Sequence, residues 1–103
     1  PTARVVEDFA NILADDSIQL VASAAIPNQR AEIGIQVLEA GKDYFTDKSP
    51  FTTLEQLESV RRAVETTNRR YFVYYAERLH NEAAWRAGEI ARSGEIGDVI
   101  QDT

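Results

Sequence analysis

An aspartate and a lysine, Asp47 and Lys48, stand side by side directly after a short apolar and aromatic run. A lysine ammonium at the end of a strand can hold a ribose hydroxyl or polarise the oxygen of a substrate. An exposed turn with an incidental surface ion pair would contain the same two residues, because loops are commonly charged. The pair is the leading candidate for chemistry, and both interpretations stay open at this point.

Other reactive side chains are few. His80 is the single histidine and is expected at the surface, although histidine titrates near neutral pH. Tyr71 and Tyr74 are expected to pack in or beside the core, and the indole N–H of Trp85 is expected to find an acceptor. Cysteine is absent, which excludes disulfides and thiolate metal sites, and no metal site is predicted.

Composition narrows the class of protein. Hydrophobic residues make up 44% of the 103 residues and charged residues 27%, as in soluble globular proteins. The net charge of −6 disfavours nucleic acid as a partner, and no apolar run is long enough to span a membrane. We therefore expect a cytoplasmic protein without a nucleic-acid or membrane partner.

The glycines do not form a phosphate-binding loop. None of the five belongs to a G-x-G-x-x-G run after a strand, and no G-x-x-x-x-G-K run exists. Methionine is also absent. We therefore expect an internal piece of a longer chain, without the phosphate-binding start of a nucleotide site.

Helical and strand patterns alternate along the chain. Helices are predicted at residues 5–14, from the turn at 27–29 to about 40, from about 53 to 68, and at 82–92. Strands are predicted at residues 20–25, 44–46, 71–75 and 98–101. Residues 20–25 lack alternation, which favours a strand covered on both faces. Gly41 and Asn68 are expected to end helices, and Thr52 or Thr53 to begin one.

Strands separated by helices predict βαβ units and a parallel sheet. Ligands of such sheets bind beyond the carboxyl ends of the strands. Three segments occupy that edge and are here called the rim: residues 25–28, 47–50 and 76–78.

Two stretches of the sequence resemble the glucose–fructose oxidoreductase/inositol dehydrogenase/rhizopine-catabolism (Gfo/Idh/MocA) family. They are SAAIPNQRAEIGIQVLEAGKDYFTDKSPFTTLEQL and YYAERLHNEAAWRAGEIARSGEIGDVIQ. The motifs are a proline turn after a strand, an A-G-K-x-x-x-x-[ED]-K-P stretch and an R-[FL]…G-x-I-G stretch. The resemblance extends from about Val5 to Gln101.

The resemblance implies an α/β fold. Residues 1–78 would be the second half of a Rossmann NAD(P)-binding domain with a doubly wound parallel sheet. Residues 79–103 would begin an α/β C-terminal domain for substrate binding and oligomerisation. The implied activity is hydride transfer between NAD or NADP and a hydroxyl or carbonyl group of a sugar, polyol or related substrate, in a homo-oligomer. The piece alone is expected to be inactive.

Site residues follow from the same resemblance. Lys48 matches the family's active-site lysine, which contacts substrate and nicotinamide ribose, and Asp47 matches the acid before it. Pro27 and Asn28 match the turn that lines the nicotinamide ribose, and Arg78 matches the arginine after the last Rossmann strand.

The sequence departs from the family pattern at two places. Ser49 stands where the motif has proline, with Pro50 one residue later, and Arg30 stands near a position that is histidine in many relatives. A non-catalytic α/β module whose rim binds a partner or a small ligand is the alternative to a dehydrogenase.

Overall fold

A computed structural model of the chain describes residues 2–100. Its helices are α1 (Phe9–Ala14), α2 (Pro27–Glu39), α3 (Leu54–Thr67), α4 (Ala76–His80) and α5 (Glu82–Ser93). Its strands are β1 (Leu20–Ser23), β2 (Asp43–Asp47) and β3 (Tyr71–Tyr74).

The three strands form one parallel sheet in the order β1-β2-β3. Val21 lies beside Tyr44, which lies beside Tyr71, so that these three side chains share one face. All three strands therefore end at the same edge, where the rim segments follow them. The predicted α/β fold with a parallel sheet is confirmed.

The core lies between the sheet and the two long helices. Val37 and Leu38 of α2 and Ala63 of α3 pack with Val21 and Tyr44 on the same face. Burial of these side chains supplies the main favourable term that holds both helices on the sheet.

The opposite face of the sheet is exposed, which corrects the prediction that β1 is covered on both faces. Leu20 is 52% exposed, and Phe45 and Phe72 of the neighbouring strands are also exposed. The reason is that α2 and α3 pack on the face that carries Tyr44. An apolar run without alternation therefore does not distinguish a strand that is covered on both faces from one that is covered on a single face.

Gly34 allows α2 to approach the sheet closely. A Cβ atom built on Gly34 would collide with the Tyr71 ring and would lie 2.8 Å from the Tyr44 ring. These two rings are themselves packed edge to face, with centroids 4.9 Å apart. Only glycine fits at this position without moving the helix or the tyrosines.

Side-chain and backbone caps set the helix ends. The hydroxyl of Thr53 accepts a hydrogen bond from the backbone N–H of Gln56, and Asn68 ends α3 with a left-handed φ of 53°. Gly41 adopts a φ of 78° after α2. These caps were predicted, with Thr53 rather than Thr52 as the residue that begins α3.

Several predicted boundaries were wrong, including those of β1, which ends at Ser23, and of β2, which is Asp43–Asp47. Residues 5–8 are not helical, because the carboxylate of Asp8 accepts from the N–H of Ala10 and starts α1 at Phe9. Residues 27–29 are not a separate turn but the first turn of α2, where the fixed φ of Pro27 suits a helix start. β3 ends at Tyr74 because Tyr75 precedes α4.

α4 was missed and a fourth strand was wrongly predicted. α4 has five residues, too few to show helical periodicity, and Asn81 in extended conformation separates it from α5. Residues 98–100 form no strand, and Gln101 lies outside the described residues. Within residues 2–100, no helix is long and apolar enough to cross a membrane.

Candidate functional site

The rim brings Lys48 and the start of α4 together. Asp47 at the end of β2 pairs with Tyr74 at the end of β3, so Lys48 and the residues after Tyr74 leave the sheet side by side. The Lys48 ammonium lies 2.8 Å from a carboxylate oxygen of Glu77 in the first turn of α4. Lys48 thus stands at the strand ends, as predicted.

Both members of this ion pair are partly exposed. About half of the Lys48 side chain and two thirds of the Glu77 side chain are accessible, at 46% and 65%. Such pairs contribute little to folding stability, because solvent screens them. The contact therefore orients the ammonium more than it stabilises the fold, and leaves it accessible to a ligand.

The pair keeps Lys48 positively charged. The hydrogen bond and charge of Glu77 raise the pKa of the Lys48 amine above its usual value, and the charge of Asp47 acts in the same direction. The hydrogen bond from Lys48 lowers the pKa of the Glu77 carboxyl. Lys48 is consequently a hydrogen-bond donor and a fixed positive charge at neutral pH, rather than a general base.

Arg30 holds the two loops that follow β1 and β2. Its side chain is buried, with 7% of the residue exposed, and its Nε donates to the Ala25 carbonyl at 2.6 Å. One terminal nitrogen donates to the carbonyls of Asp47 and Ser49, at 2.9 and 3.1 Å. The sequence showed Arg30 only as a departure from the family pattern. Its function as a link between loops was missed.

Tyr71 extends the same network to β3. Its hydroxyl lies 3.3 and 3.2 Å from the carbonyls of Arg30 and Pro50, which share its single proton. Burial raises the pKa of this phenol well above its usual value, with a further contribution from Tyr44. Tyr71 therefore stays protonated and serves as a structural donor.

Pro27 and Asn28 begin α2 at the carboxyl end of β1, and both are exposed. The backbone carbonyl of Asn28 accepts from the side-chain amide of Gln56 at 3.0 Å, which ties this turn to the start of α3. Asn28 lies on the same edge of the sheet as the loop of Lys48.

The remaining candidate residues from the sequence are Asp47, Arg78 and His80. The carboxylate of Asp47 accepts from the backbone N–H of Lys48 at 2.9 Å, which shapes the loop. Arg78 is exposed in α4, where its neighbour Glu77 makes the contact to Lys48. His80 packs its ring 5.7 Å from the ring of Tyr74 and takes no part in the ion pair.

Two other features lie away from the rim. A cavity of about 690 Å³ adjoins β1 and is lined by residues of α1 and β1, such as Ile12 and Val21, but not by Lys48. Within the described part of the chain, no group of three or more histidine or carboxylate side chains could hold a metal ion.

A family profile described as oxidoreductases with an NAD-binding Rossmann fold matches residues 1–75. The chain belongs to this family. The profile is that of the Gfo/Idh/MocA oxidoreductases, so the resemblance seen in the sequence is confirmed. Residues 20–74 carry the three parallel strands and the helices between them, as such a fold requires.

Individual relatives agree with this assignment. The chain is 30% identical over 102 residues to an uncharacterized oxidoreductase of Schizosaccharomyces pombe, covering 98% of this chain and 27% of that protein. It is 48% identical to a candidate oxidoreductase of Erwinia carotovora atroseptica of known structure, with a TM-score of 0.82. That match covers 93% of this chain and 29% of the other chain.

A myo-inositol 2-dehydrogenase of Lactobacillus plantarum shares the fold at 17% identity, with a TM-score of 0.78. That match covers 92% of this chain and 28% of the dehydrogenase chain. The chain thus spans less than a third of the length of these relatives.

Proposed function

We propose that this chain forms the nicotinamide-side half of the cofactor domain in an NAD(P)-dependent oxidoreductase. The proposed reaction is hydride transfer at a hydroxyl or carbonyl carbon of a sugar, polyol or related substrate. Support for this substrate class comes from the family resemblance and from the fold shared with a myo-inositol 2-dehydrogenase.

The observation that carries the proposal is the accessible, protonated ammonium of Lys48 at the carboxyl ends of the strands. In parallel α/β sheets this edge is where ligands bind. An ammonium there can donate a hydrogen bond to the reacting oxygen and stabilise negative charge as it develops.

In this reaction a bound nicotinamide supplies the hydride acceptor or donor. Lys48 would hold the substrate oxygen through its N–H donors, while Glu77 keeps the amine protonated. During oxidation the hydroxyl proton must leave to a base, and Lys48 is already protonated. We therefore assign proton removal to a group other than Lys48.

The proposed cofactor contacts come from the three rim segments. Pro27 and Asn28 would line the nicotinamide ribose, and Asp47 would shape the loop that presents Lys48. Arg78 is proposed as a further cofactor contact from α4. The residues present suit the ribose end of a dinucleotide, because they offer donors and acceptors but no glycine-rich phosphate loop.

The proposal extends to domain organisation, location and assembly. The family profile ends at residue 75, close to the proposed boundary between residues 78 and 79. The bridge from Lys48 to Glu77 would then join the cofactor domain to the segment that leads into the next one. We propose a cytoplasmic homo-oligomer. By itself the 103-residue chain would be inactive.

The decisive experiment replaces Lys48 by methionine in the oxidoreductase that contains this chain. NADH binding is measured by fluorescence titration, and NAD(P)⁺ reduction is measured with myo-inositol and a set of aldoses. We expect kcat to fall by about 100-fold or more, since a positioned polar group contributes on this scale. The Kd for NADH should change less than about threefold.

The control is Arg61→Lys, at a residue that lies in an exposed ion pair of α3, and this variant should retain full activity. Full activity of Lys48→Met would refute the role of Lys48. Failure of the unmodified protein to bind either NADH or NADPH would instead favour the non-catalytic module.

A further inference from the structure

The buried guanidinium of Arg30 contacts backbone carbonyls of the two residues that flank Lys48. Its hydrogen bonds to the carbonyls of Asp47 and Ser49 involve the residues directly before and after Lys48. A single terminal nitrogen therefore fixes the orientation of the backbone that carries the ammonium.

The same side chain also fixes the loop after β1. The 2.6 Å bond from Nε to the Ala25 carbonyl holds the backbone two residues before Pro27. Arg30 thus sets the distance between the turn that begins α2 and the loop that carries Lys48. These are two of the three rim segments, and Tyr71 adds the strand β3 through the carbonyls of Arg30 and Pro50.

Only a guanidinium can make this set of bonds. Arginine presents its donors in a rigid planar fork, whereas lysine has one nitrogen and histidine has two on a short ring. The three acceptors are neutral backbone oxygens. Burying a charge is costly unless hydrogen bonds satisfy it, and these three bonds satisfy the guanidinium of Arg30.

We propose that Arg30 is a positioning residue for the reaction, acting through the backbone of Lys48. This inference rests on the proposed role of Lys48. It assigns to Arg30 the relative placement of the reacting oxygen and the ribose turn, with no direct contact to substrate or cofactor.

The test uses Arg30→Gly and Arg30→Lys in the oxidoreductase that contains this chain, with myo-inositol or the best aldose as substrate. Arg30→Gly should lower kcat at least about 30-fold, because small displacements of a positioned group slow the reaction strongly. The Kd for NADH should change less than about threefold. Addition of methylguanidinium at about 20 mM should restore kcat at least about fivefold by filling the vacated site.

Controls separate positioning from folding. Methylammonium and urea at the same concentration lack the charged fork and should not restore activity. Arg62→Gly, at an exposed position of α3, should neither lose activity nor respond to methylguanidinium. If Arg30→Gly does not fold, Arg30→Lys should still show a lower kcat with an unchanged Kd for NADH.

Normal kcat in a folded Arg30→Gly variant, or a loss that methylguanidinium does not reverse, would overturn the proposal. So would loss of folding in both variants, since Arg30 would then serve the fold rather than the rim. These results differ from failure of the proposed function, in which the unmodified protein itself would show no NAD(P)-dependent turnover.

Discussion

The ion pair of Lys48 and Glu77 has a defined range of pH. The pKa of the Glu77 carboxyl is lowered in the folded protein. Its contribution to folding stability is therefore fully present above the usual glutamate pKa of 4.5 and is lost as pH falls through the folded pKa. The pKa of the Lys48 amine is raised in the folded protein. Its contribution to folding stability is therefore fully present below the usual lysine pKa of 10.5 and is lost as pH rises through the folded pKa. The pair is thus intact across the physiological range.

Replacing Glu77 by glutamine tests this coupling. Without the carboxylate the pKa of Lys48 should fall, and the alkaline limb of the kcat/KM profile should move to lower pH. At pH 7 the activity should change less than about threefold, because an ordinary lysine is still protonated there and the amide oxygen of glutamine can still accept its hydrogen bond. The pH profile of the variant oxidoreductase is the measurement.

Glu89→Gln removes a comparable exposed ion pair with Arg86 in α5 and should leave the profile unchanged. An unchanged alkaline limb in Glu77→Gln would mean that Glu77 does not act on the group that titrates.

At the residue scale, the sequence allowed Lys48 to be placed but not its partners. A lysine after an apolar run is visible as a pattern, and its place at the strand ends follows from parallel pairing. The bonds of Arg30 join residues that are up to 19 positions apart and depend on backbone carbonyl directions. Such directions have no signature in residue type.

The contact between α2 and the sheet is set by Gly34. We predict that Gly34→Ala lowers the free energy of unfolding by about 1–3 kcal/mol, the usual cost of overpacking. The cause would be the collision of the new methyl group with the rings of Tyr44 and Tyr71. Urea unfolding followed by circular dichroism measures the change.

Gly88→Ala in α5 is the matched substitution. A Cβ there would meet only the flexible end of Arg92, at 3.3 Å. Because alanine favours helix, we expect a neutral effect or a gain of about 0.5–1 kcal/mol. Equal effects of the two substitutions would contradict the close approach at Gly34.

The helices with long periodic patterns were predicted, whereas the shortest helix, α4, was not. α3 has fourteen residues and a threonine cap, and its start and end follow from residue type. The five residues of α4 carry no such pattern, because its packing against α5 and the rim determines its conformation. The first turn of α2 was taken for a loop because Pro27 is common in both.

β1 leaves one edge and one face of the sheet open within the described residues. It pairs only with β2, and Leu20 and Ala22 are exposed on the face opposite the helices. Exposed strand edges pair readily with other chains. We therefore predict that the 103-residue chain self-associates at concentrations well above micromolar, as measured by sedimentation velocity.

Ala22→Lys should reduce this association, because a lysine on an edge strand opposes pairing. Ile96→Lys, which removes an exposed apolar side chain outside the sheet, should not. A single monomeric species of the unmodified chain at about 100 μM would contradict the prediction.

Trp85 is the only tryptophan of the chain. As expected from the sequence, its indole finds an acceptor: Nε1 donates to the Leu79 carbonyl at 3.1 Å, across the break between α4 and α5. With half of its surface exposed, the indole is sensitive to small changes in hydration. Its emission maximum would therefore report, without any attached dye, whether these two helices stay joined when a nicotinamide cofactor is added.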